Sequence, residues 1–196
     1  MLKSGKIDEA AYRNLENCAG PGCGSCSFLG TANTMCCLAE ALGMSLPGSG
    51  TIPATKADRL RAAQDSGRQS IRSRQIINKK GIENAIRLNA AIGGSTNAIL
   101  HMLAIAYEAD VDLNVDTFEE LSRTTPHIAR MNPAAAPNVP DFHEAGGVPA
   151  VMKVILPLLH RDALTVSGKT VAENVAGAKI LNSGIIRSMA NPWATG

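Results

Sequence analysis

The chain predicts an α/β fold dominated by helix, and three observations point there. Of its 196 residues, 45% are hydrophobic but only 3% aromatic, so the apolar content is aliphatic and rich in alanine. Such a composition favours close-packed helices over a β-sandwich. Several stretches repeat apolar residues at helical spacing between Gly- and Pro-rich loops. Two further stretches, residues 162–166 and 179–186, read as strands. The length suits one ordinary domain or two small ones, and the apolar fraction excludes intrinsic disorder. A net charge of +2, from 19 Lys+Arg against 17 Asp+Glu, with no dense basic run, excludes a nucleic-acid partner. Residues 1–12 are polar, and no apolar run reaches the roughly 18–20 residues a membrane span needs, so a soluble, cytoplasmic protein is expected.

In order along the chain, residues 8–17 read as a short polar helix entering a Gly/Pro loop at 19–24. Thr31-Ala-Asn-Thr-Met35 opens an Ala/Leu/Met helix that Gly43 is placed to cap. Leu46-Pro-Gly-Ser-Gly-Thr51 is a second loop. Residues 54–67 read as a charged amphipathic helix with Ala57, Leu60 and Ala63 in register, and 75–80 and 82–92 continue in helix after a short break. Gly93-Gly-Ser-Thr-Asn97 interrupts before residues 98–109, apolar on nearly every face and therefore expected to be buried in a larger body. Residues 116–123 form a helix opened by Asp116. Prolines 126, 133, 137 and 140 mark irregular chain, and residues 148–159 form an apolar helix with Pro149 in its first turn. The buried 98–109 helix and the turn residues at the chain's end together suggest a piece of a longer protein.

Five cysteines is an odd count, and four of them fall between Cys18 and Cys36. That is unlike a secreted disulfide framework and points to metal, iron–sulfur or redox chemistry. Cys18-Ala-Gly-Pro-Gly-Cys23-Gly-Ser-Cys26 precedes a helix start, where the dipole and free N–H groups stabilise thiolate, and its glycines admit a close inorganic group. Structural zinc lacks a second ligand pair at proper spacing. A thioredoxin-like Cys23-Gly-Ser-Cys26 lacks the preceding strand. Cys36 and Cys37, inside an apolar helix, read as core. An iron–sulfur ligand remains beside these readings.

The run from Cys23-Gly-Ser-Cys26-Ser-Phe-Leu-Gly-Thr-Ala-Asn-Thr-Met35 to Glu40-Ala-Leu-Gly-Met-Ser-Leu-Pro-Gly48 resembles the dihydroxy-acid and sugar-acid (phosphogluconate, arabinonate, xylonate) dehydratase family. Asn84-Ala85, Gly93-Gly-Ser-Thr-Asn97 with His101, His143-Glu-Ala-Gly-Gly147 and Leu164-Thr-Val-Ser-Gly-Lys-Thr-Val-Ala-Glu-Asn174 extend the resemblance from about Lys3 to the chain's end. It implies dehydration of a 2,3-dihydroxy carboxylic acid to a 2-oxo acid. The branched-chain acid of branched-chain amino-acid biosynthesis is the first expectation and a sugar acid the alternative.

The family implies an iron–sulfur cluster, two-iron or four-iron, held by three cysteines with one iron open as a Lewis acid, and a nearby Mg²⁺ on the substrate carboxylate and 2-hydroxyl. Its third cluster cysteine stands four intervening residues before the Thr-Ala-Asn-Thr-Met run, which is Cys26. Cys23 falls where only some members have cysteine, and is taken as a neighbour. The other two cluster cysteines, the Mg²⁺ ligands and the serine base fall outside residues 1–196. The chain is therefore expected to be part of an N-terminal, cluster-binding domain of a helix-rich α/β protein, inactive alone and a homodimer or homotetramer when complete. A stand-alone zinc or thiol-redox module is the reading from another class.

Physical reading of the remaining motifs adds candidates. The Gly93–Asn97 turn opening a helix offers N–H groups and the Ser95 and Thr96 hydroxyls to an anion such as a substrate carboxylate, or Ser95 and Thr96 simply cap the helix. His101 reads first as a core histidine. The adjacent His143 and Glu144 invite a metal but do not share a helix face. Arg59, Arg61 and Arg68 read as a solvated face.

Overall fold

The computed structural model describes residues 2–18, 23–69 and 71–196. Among them the chain forms α1 (Glu9–Cys18), α2 (Thr31–Ala41), α3 (Asp58–Ser66), α4 (Ser73–Ile76), α5 (Lys79–Ile92), α6 (Asn97–Glu108), α7 (Val115–Arg123), α8 (Val139–Glu144), α9 (Gly147–Val154) and α10 (Val171–Val175). Short 3₁₀ turns lie at Leu2–Ser4 and Leu156–Leu158.

The expected α/β architecture is corrected by this inventory: the described residues form helices and no sheet. Both stretches read as strands contribute single bridges only, Leu164 with Thr170 and Ile186 with Ala129. Their backbone groups are satisfied in turns instead. Thr165 donates to Lys169 O at 3.0 Å, Ile186 to Asn182 O at 3.1 Å, and Leu181 to Ala145 O at 2.9 Å. A β-favourable composition becomes a strand only beside a partner strand, and here helices and loops occupy that place.

Helix α5 is central. Asn78 caps it, its side chain accepting from Gly81 N at 3.2 Å, and Gly93 ends it in the left-handed region at φ +62°. Gly81, Ala85, Leu88 and Ile92 recur at spacings of three and four and are buried. This face meets α2, whose Cys37, Leu38 and Ala41 are buried. Helix α7 covers α5 from another side, and α9, paired with α10, lies against both α2 and α5. Phe142, Met102, Ile128 and Ile155 complete the same apolar core. Asn84, wholly buried, donates to His160 O at 3.1 Å and accepts from His160 N at 2.8 Å, tying α5 to the chain beyond the second 3₁₀ turn. An Asn78→Ala variant is expected to lose about 1 kcal/mol of stability and a few degrees of melting temperature, read by thermal denaturation.

Several local expectations change. Helix α6 is buried on one stripe only, Ala98, Met102 and Ala106, while Leu100 and Tyr107 are 70% and 81% exposed. Helix α3 starts at Asp58, buries no residue, and leaves Leu60 76% exposed. The residue opening α7 is Asn114, whose side chain accepts from Thr117 N at 3.0 Å, with Asp116 in the first turn. No helix among the described residues is long and apolar enough to cross a membrane.

Candidate functional site

Consecutive stretches of one segment line two cavities. Residues 23–27 border a cavity of about 280 Å³ with Asn33, Cys36 and Arg59, and residues 28–31 border one of about 420 Å³ with Ser95, Thr96 and His127.

The first cavity collects three thiols. Cys23, Cys26 and Cys36 are free and exposed, whereas Cys37 is buried. Cys36 is thus not the core residue that its apolar helix suggested; one position along α2 turns it to the thiol side and leaves Cys37 in the core. Burial pushes the Cys37 thiol well up, and the Glu40 charge adds to this, so Cys37 is held as a neutral thiol. The side chain of Cys18 and residues 19–22 of the cysteine loop lie outside the described residues.

The segment carrying Cys26 is fixed from several directions. Asn33, buried in the first turns of α2, donates to Cys26 O at 2.6 Å and Phe28 O at 2.8 Å. Leu29 N donates to Asn132 O at 2.7 Å and Val139 N to Ser27 O at 2.8 Å. The opposite wall is the loop 46–55, where Glu40 accepts from Gly48 N at 2.6 Å and Gly50 N at 2.9 Å. Arg59 reaches back from α3 to the carbonyls of Ile52 and Ser49, which brings its guanidinium into this cavity wall. Of the expected solvated face, Arg61 and Arg68 keep that role, paired with Asp58 and Asp65 at the surface.

His143 and Glu144 look to separate partners. Thr51 Oγ1 lies 2.9 Å from His143 Nδ1, while Glu144 pairs with Lys56. Burial, then the Lys56 charge, lowers the His143 pKa, so the ring is neutral at pH 7. These contacts brace the 51–56 loop against α8, and no group of three or more His, Cys, Asp or Glu among the described residues could hold a metal ion.

The second cavity lies where α2 and α6 begin. Asn97 Nδ2 donates to Thr31 Oγ1 at 2.9 Å, Thr31 and Ser95 hydroxyls lie 3.4 Å apart, and Ser95 N donates to Thr34 Oγ1 at 3.1 Å. Ser95 Oγ accepts from Asn97 N at 3.3 Å, but Thr96 makes no side-chain cap bond. Ala98 N donates to Ser95 O at 3.0 Å and Ile99 N to Thr96 O at 3.1 Å, so the first-turn N–H groups of α6 are already bonded within the turn. Across from them stands His127, whose buried Nε2 has no hydrogen-bond partner among the described residues. Burial lowers its pKa, the neighbouring Arg130 adding to the effect, and the ring is neutral. A Cβ on Gly93 would lie 2.9 Å from that Nε2, so the glycine leaves the room the ring occupies. His101, expected in the core, is exposed on α6.

His127 escapes sequence reading because its place depends on distant chain: Ile128 N and Ala129 N both donate to Ala91 O, at 2.7 and 3.0 Å, bringing the post-Pro126 stretch onto the end of α5. A lone histidine in irregular, proline-marked sequence carries no periodic signal. Cys36 was hidden for a different cause, since adjacent cysteines on a helix do not reveal which faces out.

The described residues thus present a helical scaffold with a thiol-lined cavity beside a second cavity, bordered by Ser95 and Thr96, where α2 and α6 begin. Residues 1–174 match the family described as dihydroxy-acid/6-phosphogluconate dehydratase N-terminal, and the chain belongs to this family. It is similar to the dihydroxy-acid dehydratases of Caldanaerobacter subterraneus subsp. tengcongensis (45% identical over 98% of this chain and 36% of that protein) and Moorella thermoacetica (44%, 98% and 37%). The dihydroxy-acid dehydratase of Pyrococcus furiosus is 45% identical over 98% of this chain and 36% of its own length. The chain thus spans a little over a third of the curated relatives it matches.

Proposed function

We propose that this chain is part of the N-terminal, cluster-binding region of an iron–sulfur-dependent hydro-lyase. The complete polypeptide would convert a branched-chain 2,3-dihydroxy acid to the 2-oxo acid, with a sugar acid as the alternative substrate. The observation that carries the reading is the shared cavity of Cys23, Cys26 and Cys36, in a chain whose family and named relatives are dehydratases. Exposed thiols with no disulfide partner are the donor set an iron–sulfur cluster takes. They fit as a contribution to such a site, since the described residues do not bring together a full metal-binding group.

Cys26 is assigned as the cluster ligand of this chain and Cys23 as its neighbour. When bound, the cluster supplies an open iron that acts as a Lewis acid on the departing hydroxyl. In the cavity wall, Arg59 sets a positive charge beside the thiols. Mg²⁺ is assigned to ligands outside the described residues. The Ser95 and Thr96 hydroxyls are offered to the substrate carboxylate at the start of α6, whose dipole favours an anion. His127, with a neutral ring, borders the same cavity. The complete protein is proposed to be cytoplasmic and to work as a homodimer or homotetramer.

Anaerobic reconstitution of the complete polypeptide with iron and sulfide tests this reading. Visible charge-transfer absorbance with stoichiometric iron and sulfide, and 2-oxo acid formed from a branched-chain dihydroxy acid faster than from a sugar acid, are expected. Zinc bound in place of iron, with no dehydration of either acid, would overturn it. A Ser95→Ala/Thr96→Ala double variant is expected to raise KM about ten-fold or more with a smaller change in kcat, since it removes ground-state contacts to the carboxylate.

A further inference from the structure

We propose that Asn33 is the positioning residue for Cys26: one buried amide grips the carbonyls on either side of Ser27 and so fixes the direction in which the Cys26 thiol leaves the chain. This rests on the assignment of Cys26 as a cluster ligand. The geometry is closed at both ends of the amide. Its nitrogen donates to Cys26 O at 2.6 Å and Phe28 O at 2.8 Å, and its Oδ1 accepts from Ser25 Oγ at 2.8 Å. Asn33 is 6% exposed, so these bonds form with little competition from water. Only a primary amide offers two donors and an acceptor in this compass. The chain it holds is pinned on its other side by Leu29 N to Asn132 O at 2.7 Å and Val139 N to Ser27 O at 2.8 Å. Ser27 therefore has both neighbouring carbonyls and its own carbonyl engaged, and the peptide plane leaving Cys26 is tied to α2.

Because α2 packs on α5, the amide couples the thiol's direction to the rigid core rather than to the loop's own preferences. An exposed thiol on an unrestrained glycine loop would sample many directions, and a ligand must be held close to its productive geometry for the metal to be retained. Groups that orient a metal ligand without touching the metal commonly change affinity by about 10–100-fold when replaced.

The test uses the complete polypeptide in three variants, Asn33→Asp, Ser25→Ala and Cys26→Ser. Three readouts apply: iron and sulfide bound per chain, amide hydrogen exchange across residues 23–30 and across α5, and the thermal midpoint. Asn33→Asp keeps the size and the acceptor but sets a carboxylate against two carbonyls. It is expected to lower iron retention at least about ten-fold and to speed exchange at residues 26–30, with α5 unchanged. Ser25→Ala leaves both carbonyl contacts and is expected to change iron retention less than about three-fold. Normal iron retention in Asn33→Asp despite faster loop exchange would overturn the proposal, as would faster exchange in α5 accompanying the iron loss, since the amide would then be a fold element only. Full iron in Cys26→Ser would overturn the ligand assignment itself, a result separable from the other two.

Discussion

Cys26→Ser in the complete polypeptide is expected to lower cluster content and dehydratase turnover by more than about 100-fold, beyond what the loss of an orienting group produces. Serine keeps the shape but replaces a soft thiolate with a hydroxyl that remains protonated at neutral pH and binds iron poorly. The cavity makes the comparison informative, because Cys23 and Cys36 line it as well. Cys23→Ser and Cys36→Ser are expected to retain most of the iron, measured by absorbance and by iron and sulfide analysis. If Cys36→Ser alone stripped the iron, the ligand would be the thiol on α2 and the assignment to Cys26 would fail.

The contribution of Glu40 to stability should fall as pH rises from about 4.5 to about 7, against the opposite slope that the lowered His127 and His143 pKa values set in the same window. Burial raises its pKa from 4.5 to about 7, against the opposing pull of the Gly48 and Gly50 N–H groups. The raised folded-state pKa means that the folded chain holds a proton the unfolded chain has released throughout that window. Below 4.5 both states are protonated and the group contributes no slope. Between the two values its contribution declines with pH, and above 7 both states are ionised and the loss is complete. A gap of this size corresponds to as much as about 3 kcal/mol. Glu40→Gln carries no titration, so the difference in unfolding free energy between wild type and variant, followed by denaturant unfolding at several pH values, should trace that decline. Parallel pH profiles for the two proteins would refute the assignment. The group also matters to the site, since the loop it holds is the wall facing the cysteines.

Much of the helical order was legible because local signals coincide with tertiary needs. The helix over 82–92 shows in its repeat at helical spacing, whereas Asn78, read as helix within 75–80, instead caps α5 after α4 ends at Ile76. The loop at 46–51 and the first turn containing Pro149 were equally local. The strands were misread because residues 162–166 and 179–186 have strand-like composition but no partner to pair with, and their hydrogen bonds close within turns or onto Ala145. Helix α6 was misread in degree: its sequence is apolar nearly all round, yet only the stripe facing α2 and α5 is covered.

The candidate site divides in the same way. Cys23, Cys26, Ser95 and Thr96 stand in short, glycine-punctuated motifs, so chemistry and spacing are both written within a few consecutive residues. By itself the sequence determined most helical segments and turns, the thiol segment and its resemblance to dehydratases. Tertiary structure decided which of two adjacent cysteines meets the cavity, that Asn33 rather than a loop residue holds Cys26, and that His127 lies across from Ser95 and Thr96. The physical reason is that caps and turns depend on neighbours within four or five residues. These other placements depend on hydrogen bonds and packing between chain segments far apart in sequence, which no local pattern encodes.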